Sequence, residues 1–113
     1  MSRLTKGDIA EVKAYANPPR NVIMAMGAVA VMLNKPDDWA SIKKELTDPA
    51  FMKRLINFDK DNISDAVIKK LERYVNNPEF LPQIAMQSSL VAGALTAYVR
   101  SVYEYHQTLQ QVR

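Results

Sequence analysis

The sequence predicts an all-α fold, and three observations carry that expectation. No stretch alternates apolar and polar residues with period two, so no strand is placed. Apolar or small residues instead recur at steps of three and four, most regularly at Leu81, Ile84, Ser88, Val91, Leu95, Tyr98, Val102, Tyr105, Leu109 and Val112. That is an a/d seam sustained over about four heptads. Helix-breaking clusters at Asn17-Pro18-Pro19, Lys35-Pro36-Asp37, Asp48-Pro49 and Asn76-Asn77-Pro78 then cut the rest of the chain into helix-length pieces.

A single helix from Leu81 to Val112 would be roughly 45 Å long at about 1.5 Å per residue. A compact domain of this size is only about 30–35 Å across. The helix should therefore project, and the segment left to pair with it is Leu4–Ala16. The expected architecture is a small helical head on an antiparallel two-helix stalk. Residues 1–16 form the first stalk helix, 17–90 the head, and 91–113 the second stalk helix, continuous with the last head helix. Neither chain end carries a capping sequence, so the chain reads as a piece of a longer protein.

Taken in order, residues 1–16 read as helix with Ile9, Val12 and Ala16 on one face. Leu4 does not fit that face, and Gly7 costs about 1 kcal/mol relative to alanine. The register of this half is poorly fixed, and a weakly specified two-helix seam can slide. After Pro18-Pro19 a second helix runs to about Leu33, with Val22, Met26, Val29 and Leu33 as its stripe and Ile23, Met24, Ala30 and Val31 filling most of the remainder. A helix apolar nearly all round is central to a core or partly an interface. Arg20 is the only charge at its head, where the helix dipole opposes it, so it should face solvent or an external acid.

Asp38 should cap a short helix carrying Trp39, Ile42 and Leu46. Asp48-Pro49 should start another, burying Phe51, Leu55 and Phe58 and leaving Lys53, Arg54 and Asn57 outside. Asp59 and Asp61 hint at a calcium loop, but Ile63 and Ser64 stand where a ligand and the turn glycine belong, which excludes it. Asn62 should cap a helix that buries Ile63, Val67, Leu71, Tyr74 and Val75 and exposes Lys69, Lys70, Glu72 and Arg73.

Composition narrows the function. With 113 residues this is one domain with a modest core, and a net charge of +3 with pI near 9.2 leans only weakly towards an acidic partner. Lys43, Lys44, Lys69, Lys70 and Arg73 lack the interleaved aromatics of a base-stacking surface, so nucleic acid is not an expected partner. There is no cysteine and one histidine, His106, which excludes cysteine and multi-histidine metal sites. The uncharged run Val22–Leu33 is too short to span a bilayer, and Leu81–Val99 is interrupted by Pro82, Gln83, Gln87 and Ser88, so no membrane partner is expected. No phosphate loop, nucleophile elbow or zinc helix motif is present. The expectation is a binding domain with no catalytic residues, no metal and no cofactor.

Several patches together resemble the stalk tip of dynein heavy chains. They are Glu11 to Pro19 (Glu-Val-Lys-Ala-Tyr-Ala-Asn-Pro-Pro), Val22, Met26, Trp39, Asn57 to Ile63 (Asn-Phe-Asp-Lys-Asp-Asn-Ile), Asn77-Pro78-Glu79-Phe80 and Ser88. The run from Phe58 to Ile63 is more similar to axonemal than to cytoplasmic members. The resemblance covers essentially the whole chain. It implies a six-helix microtubule-binding domain that docks between α- and β-tubulin, with its first, third and last helices facing the microtubule. Those helices select Arg20, Asn21 and Met24, then Lys53 and Arg54, then Gln83 and Gln87.

The resemblance further implies a stalk whose register couples affinity to a distant ATPase ring. The place in the cell that it implies is the cytoplasmic cytoskeleton of a cilium or flagellum axoneme. Positions 83 and 87 align with an acidic and a basic residue in cytoplasmic relatives, and Gly27 stands where relatives often carry glutamate, so the resemblance does not carry charge-based tuning of affinity over to Gln83, Gln87 and Gly27. The alternative reading is a helical protein–protein interaction module that binds a dynein light chain or another axonemal partner.

Overall fold

The computed structural model describes residues 6–112. They form α1 (Lys6–Lys13), α2 (Arg20–Met32), α3 (Trp39–Thr47), α4 (Phe51–Ile56), α5 (Asp65–Val75), α6 (Pro82–Ala85) and α7 (Leu90–Val112), with no strand among the described residues. The all-α expectation holds. No helix of the described residues is long and apolar enough to cross a membrane.

The core forms around α2. Its residues from Ala25 to Met32 are all buried, and α3, α5, α6 and α7 pack around it. Ile42, Leu46, Phe51, Leu55, Leu71, Phe80, Leu95, Val99 and Val102 complete one continuous cluster. α2 ends in a Schellman motif: Asn34 turns left-handed at φ 61°, Lys35 N–H donates to the Ala30 carbonyl at 2.8 Å and Asn34 N–H to Val31 at 2.9 Å. Asparagine is the residue type, after glycine, that tolerates this conformation.

Caps follow the sequence in one case and depart from it in two. Asp38 accepts the Ser41 N–H at 2.9 Å and caps α3 as expected. Asp48 does accept a backbone N–H, from Ala50 at 2.8 Å, but the regular turns of α4 begin only at Phe51. The cap of α5 is Ser64, which accepts from Val67 N–H at 3.3 Å, and not Asn62. Asn62 is already committed within its loop, donating to Asp59 Oδ2 at 2.9 Å.

The last third of the chain needs two corrections. The helix expected to run unbroken from Leu81 is interrupted: α6 is a single turn, Met86–Ser88 turn away, and α7 begins at Leu90. Ser89 Oγ receives the Ala92 N–H at 3.3 Å and starts the new helix. The buried seam of α7 is also rotated, running through Ala92, Leu95, Val99, Val102 and His106. It shares Val91, Leu95 and Val102 with the expected seam, while Tyr98 packs only partly against the core and Tyr105 is exposed. Those two tyrosines, one heptad apart, face sideways instead. Tyr98 donates to the Leu55 carbonyl at 3.1 Å and Tyr105 to Asp61, so that α4 and the loop after it are lashed to α7.

The two-helix coiled-coil stalk is not present in the described residues. α1 is eight residues long and touches α3 as well as α7. The first half of α7 is head core, since Val91, Ala92, Leu95 and Thr96 are all buried. The Cα radius of gyration is 13.3 Å and the extents are 43 × 29 × 25 Å, the long dimension lying well beyond the other two. Leu4 and its misfit with the first stalk helix lie outside the described residues.

Candidate functional site

Proline at positions 18 and 19 delivers the chain to α2 with Arg20 as the first helical residue and no acidic residue in the first turn. Arg20 is unfavourably placed against the helix dipole, and Glu79 answers it from the segment before α6 at 3.0 Å. With 76% of the Arg20 side chain exposed, this pair contributes little stability and leaves the guanidinium facing water. Asn21 does the positioning. Its Nδ2 donates to the Ile84 carbonyl at 3.2 Å and to Ser88 Oγ at 3.3 Å, fixing α6 and the turn after it on the first turn of α2.

That contact holds α6 and its turn, which carry exposed Gln83 and Gln87, against the first turn of α2, which carries exposed Arg20. Met24 is half-buried against the core and contributes only part of its surface. Gly93 permits the tight stacking of α6 on α7, because a Cβ there would lie 2.2 Å from Met86 Cγ and 3.2 Å from the Pro82 carbonyl.

Lys53 and Arg54 sit elsewhere. Both border an open groove of about 580 Å³ whose apolar lining includes Met32, Leu33, Phe58 and Val67, at the C-terminal end of α2. A helix of that length separates its two ends by about 18 Å. Lys53 is exposed. Arg54 is not the free cation the sequence suggested. It is half-buried and closes a clasp, with Nη2 2.8 Å from Glu45 and Nη1 3.0 Å from Asp48. The Ala50 amide and then the Arg54 guanidinium hold the Asp48 carboxyl below the usual carboxylate range, while Asp48 raises Arg54 in return. The seven expected residues therefore form two groups: Arg20, Asn21, Met24, Gln83 and Gln87 at one end of α2, and Lys53 with Arg54 at the other.

Comparison with known proteins is consistent with this architecture. The family described as "Microtubule-binding stalk of dynein motor" matches residues 1–113. The chain belongs to that family. Similar proteins include human "Dynein axonemal heavy chain 2", 43% identical over 105 residues, which covers 93% of this chain and 2% of the relative. The Chlamydomonas reinhardtii "Dynein-1-beta heavy chain, flagellar inner arm I1 complex" is 38% identical over 102 residues, 90% of this chain and 2% of the relative. A solved structure described as "Microtubule Binding Domain of DYNEIN-C" superposes with a TM-score of 0.77 at 28% identity, covering 96% of this chain and 78% of that one. The chain thus spans a few per cent of the length of the dynein heavy chains it matches.

Within this dynein stalk domain, the sequence pattern missed part of the surface at the N-terminal end of α2. Glu79, which the sequence shows only as one residue of the patch Asn77-Pro78-Glu79-Phe80, is the counter-charge to Arg20. Ile23 (41% exposed), Met86 (51%) and Leu90 (73%) present apolar surface on α2, the α6–α7 turn and the start of α7. One signal was available: Leu90 stands beside Val91 and off the three-four seam, where an apolar side chain has no core to enter.

Proposed function

We propose that this chain is the microtubule-contacting head of an axonemal dynein heavy chain, and that its contact surface is built on the N-terminal end of α2, with Lys53 adding a cation from α4. The observation that carries this reading is the pair of Asn21 hydrogen bonds, which join three exposed polar residues from two helices and a turn into one preorganised patch. Membership of the dynein stalk family supports it.

Tubulin would be met here mainly by amide hydrogen bonding and apolar contact, with Arg20 and Lys53 adding screened attraction of about 0.5–1 kcal/mol each. In this reading α1 and the distal half of α7 are where the stalk joins the head, and the protein works on the axonemal cytoskeleton, with the motor's ATPase in another part of the heavy chain. Arg54 acts as a clasp that fixes α4 to α3 and so orients Lys53.

Cosedimentation with microtubules across a salt series tests the proposal. Pelleting that weakens several-fold in Arg20→Glu, with an unchanged melting temperature, supports it. Failure to pellet even at low salt overturns it.

A further inference from the structure

A second charged surface lies away from that patch. α5 carries Lys70 and Arg73 three residues apart, and this spacing sets them on one helix face. The Schellman turn that ends α2 brings Lys35 up opposite them. The three cations border a basin of about 270 Å³, lined also by Val31, Pro36 and Tyr74. All three are exposed, and among the described residues none is within ion-pair distance of a carboxylate, since the ion pairs fall on Arg20 and Arg54. Asp48, the carboxylate that feels Lys35 at longer range, is held by Ala50 and Arg54.

The basin holds one acid, Asp37, and that acid is occupied. Tyr74 donates its hydroxyl to Asp37 Oδ2 at 3.2 Å. Tyr74 is itself fixed, with its ring 5.9 Å from Phe80, and its hydroxyl reaches Asp37 past Gly27, where a Cβ would intrude to 2.8 Å. Three cations against one tethered carboxylate leave an uncompensated excess of two positive charges on a preformed concave wall.

We propose that this basin docks an acidic peptide segment of a partner protein, its carboxylate side chains reaching Lys35, Lys70 and Arg73. A compact phosphate is the poorer fit. The α5 residues here belong to its C-terminal half, which offers no free backbone N–H groups and carries the negative end of the helix dipole, so the oxygens of a single anion would lack the amide donors of a phosphate site. Carboxylates spaced along a peptide can instead meet the three cations separately, with Val31 and Pro36 taking the aliphatic stems. The surface is separate from the Arg20, Gln83 and Gln87 patch at the other end of α2, and Lys53 is not among the residues that border it.

Fluorescence anisotropy of the 113-residue chain with a fluorescein-labelled oligoglutamate peptide at low ionic strength tests this. Saturable binding is expected, and Lys70→Glu with Arg73→Glu should weaken it about tenfold or more. Arg20→Glu with Lys60→Glu, which changes net charge equally at other surfaces, should weaken it less than about twofold. The milder pair Lys70→Gln and Arg73→Gln, with circular dichroism melting, separates loss of docking from loss of folding. No binding by the unaltered chain, equal weakening by both charge-reversed pairs, or displacement by inorganic phosphate at matched charge would each overturn the proposal. Microtubule cosedimentation of the Lys70→Glu, Arg73→Glu chain should match the unaltered chain, so the two surfaces fail or stand separately.

Discussion

The two ends of α2 rest on different physics. At the N-terminal end the exposed groups are amides and apolar side chains, tied together by the Asn21 amide, with one solvent-facing ion pair. At the C-terminal end a guanidinium is locked between two carboxylates, and nearby cations stand uncompensated. Contact at the first end should be short-ranged and governed by shape, while attraction at the second should be long-ranged and sensitive to salt. One buried helix carries both, so its core couples them mechanically even though their surfaces act apart.

The strongest way to break the comparison is to remove what the ends share. Leu95 is fully buried, and Leu95→Ala should destabilise by about 2–5 kcal/mol. Chemical denaturation should then show one transition, with both surfaces lost together; two separable transitions would make the ends independent units. Next in size is Gly27→Val, whose side chain would drive into the Tyr74 hydroxyl and cost about 1–3 kcal/mol. It should disturb the C-terminal end first, so oligoglutamate binding should fall before microtubule pelleting does.

Arg20→Glu sharpens the contrast from the other side. The exposed pair with Glu79 contributes only about 0.2–1 kcal/mol, so melting should hardly move while microtubule affinity drops.

The smallest effect is a pH dependence. Burial, and then the Asp37 charge, push the Tyr74 hydroxyl up to about 12. The folded state therefore holds this proton more tightly than the unfolded chain, whose tyrosines titrate near 10. Its contribution is complete below pH 10 and is lost as the pH rises towards 12. Melting curves taken over that window should fall less steeply for Tyr74→Phe.

Much of the fold could be read from punctuation. Proline and asparagine clusters separated α2, α3, α4 and α5 because breakers act locally and the reader needs no partner to see them. Periodicity was a poorer guide where two answers shared a period. Seams through Tyr98 and Tyr105 or through Val99 and His106 both step by three and four, and only the tertiary positions of Leu55 and Asp61 decide between them. The same regular steps hid the break at Ser88–Ser89, although a serine pair is a fair helix-start signal. The cap of α5 was misread because Asn62 and Ser64 are both capping types, and Asp59 claims the first.

The site was less legible than the fold. Its residues came from family resemblance, and nothing local to Arg54 reveals that Glu45 and Asp48, nine and six residues upstream, fold back onto it. Pairing of that kind is a property of the α3–α4 turn and not of any single spacing.

The break before Leu90 bears on how load crosses the molecule. Tension applied along the rod formed by α7 meets no unbroken backbone helix leading to Gln83 and Gln87. It crosses the turn at Met86–Ser89, which the Ser89 N–H to Ala85 carbonyl bond, the close stacking at Gly93 and the Asn21 tether brace. Those joints, more than the length of α7, set how stiffly a pull from outside reaches the face that carries Gln83 and Gln87.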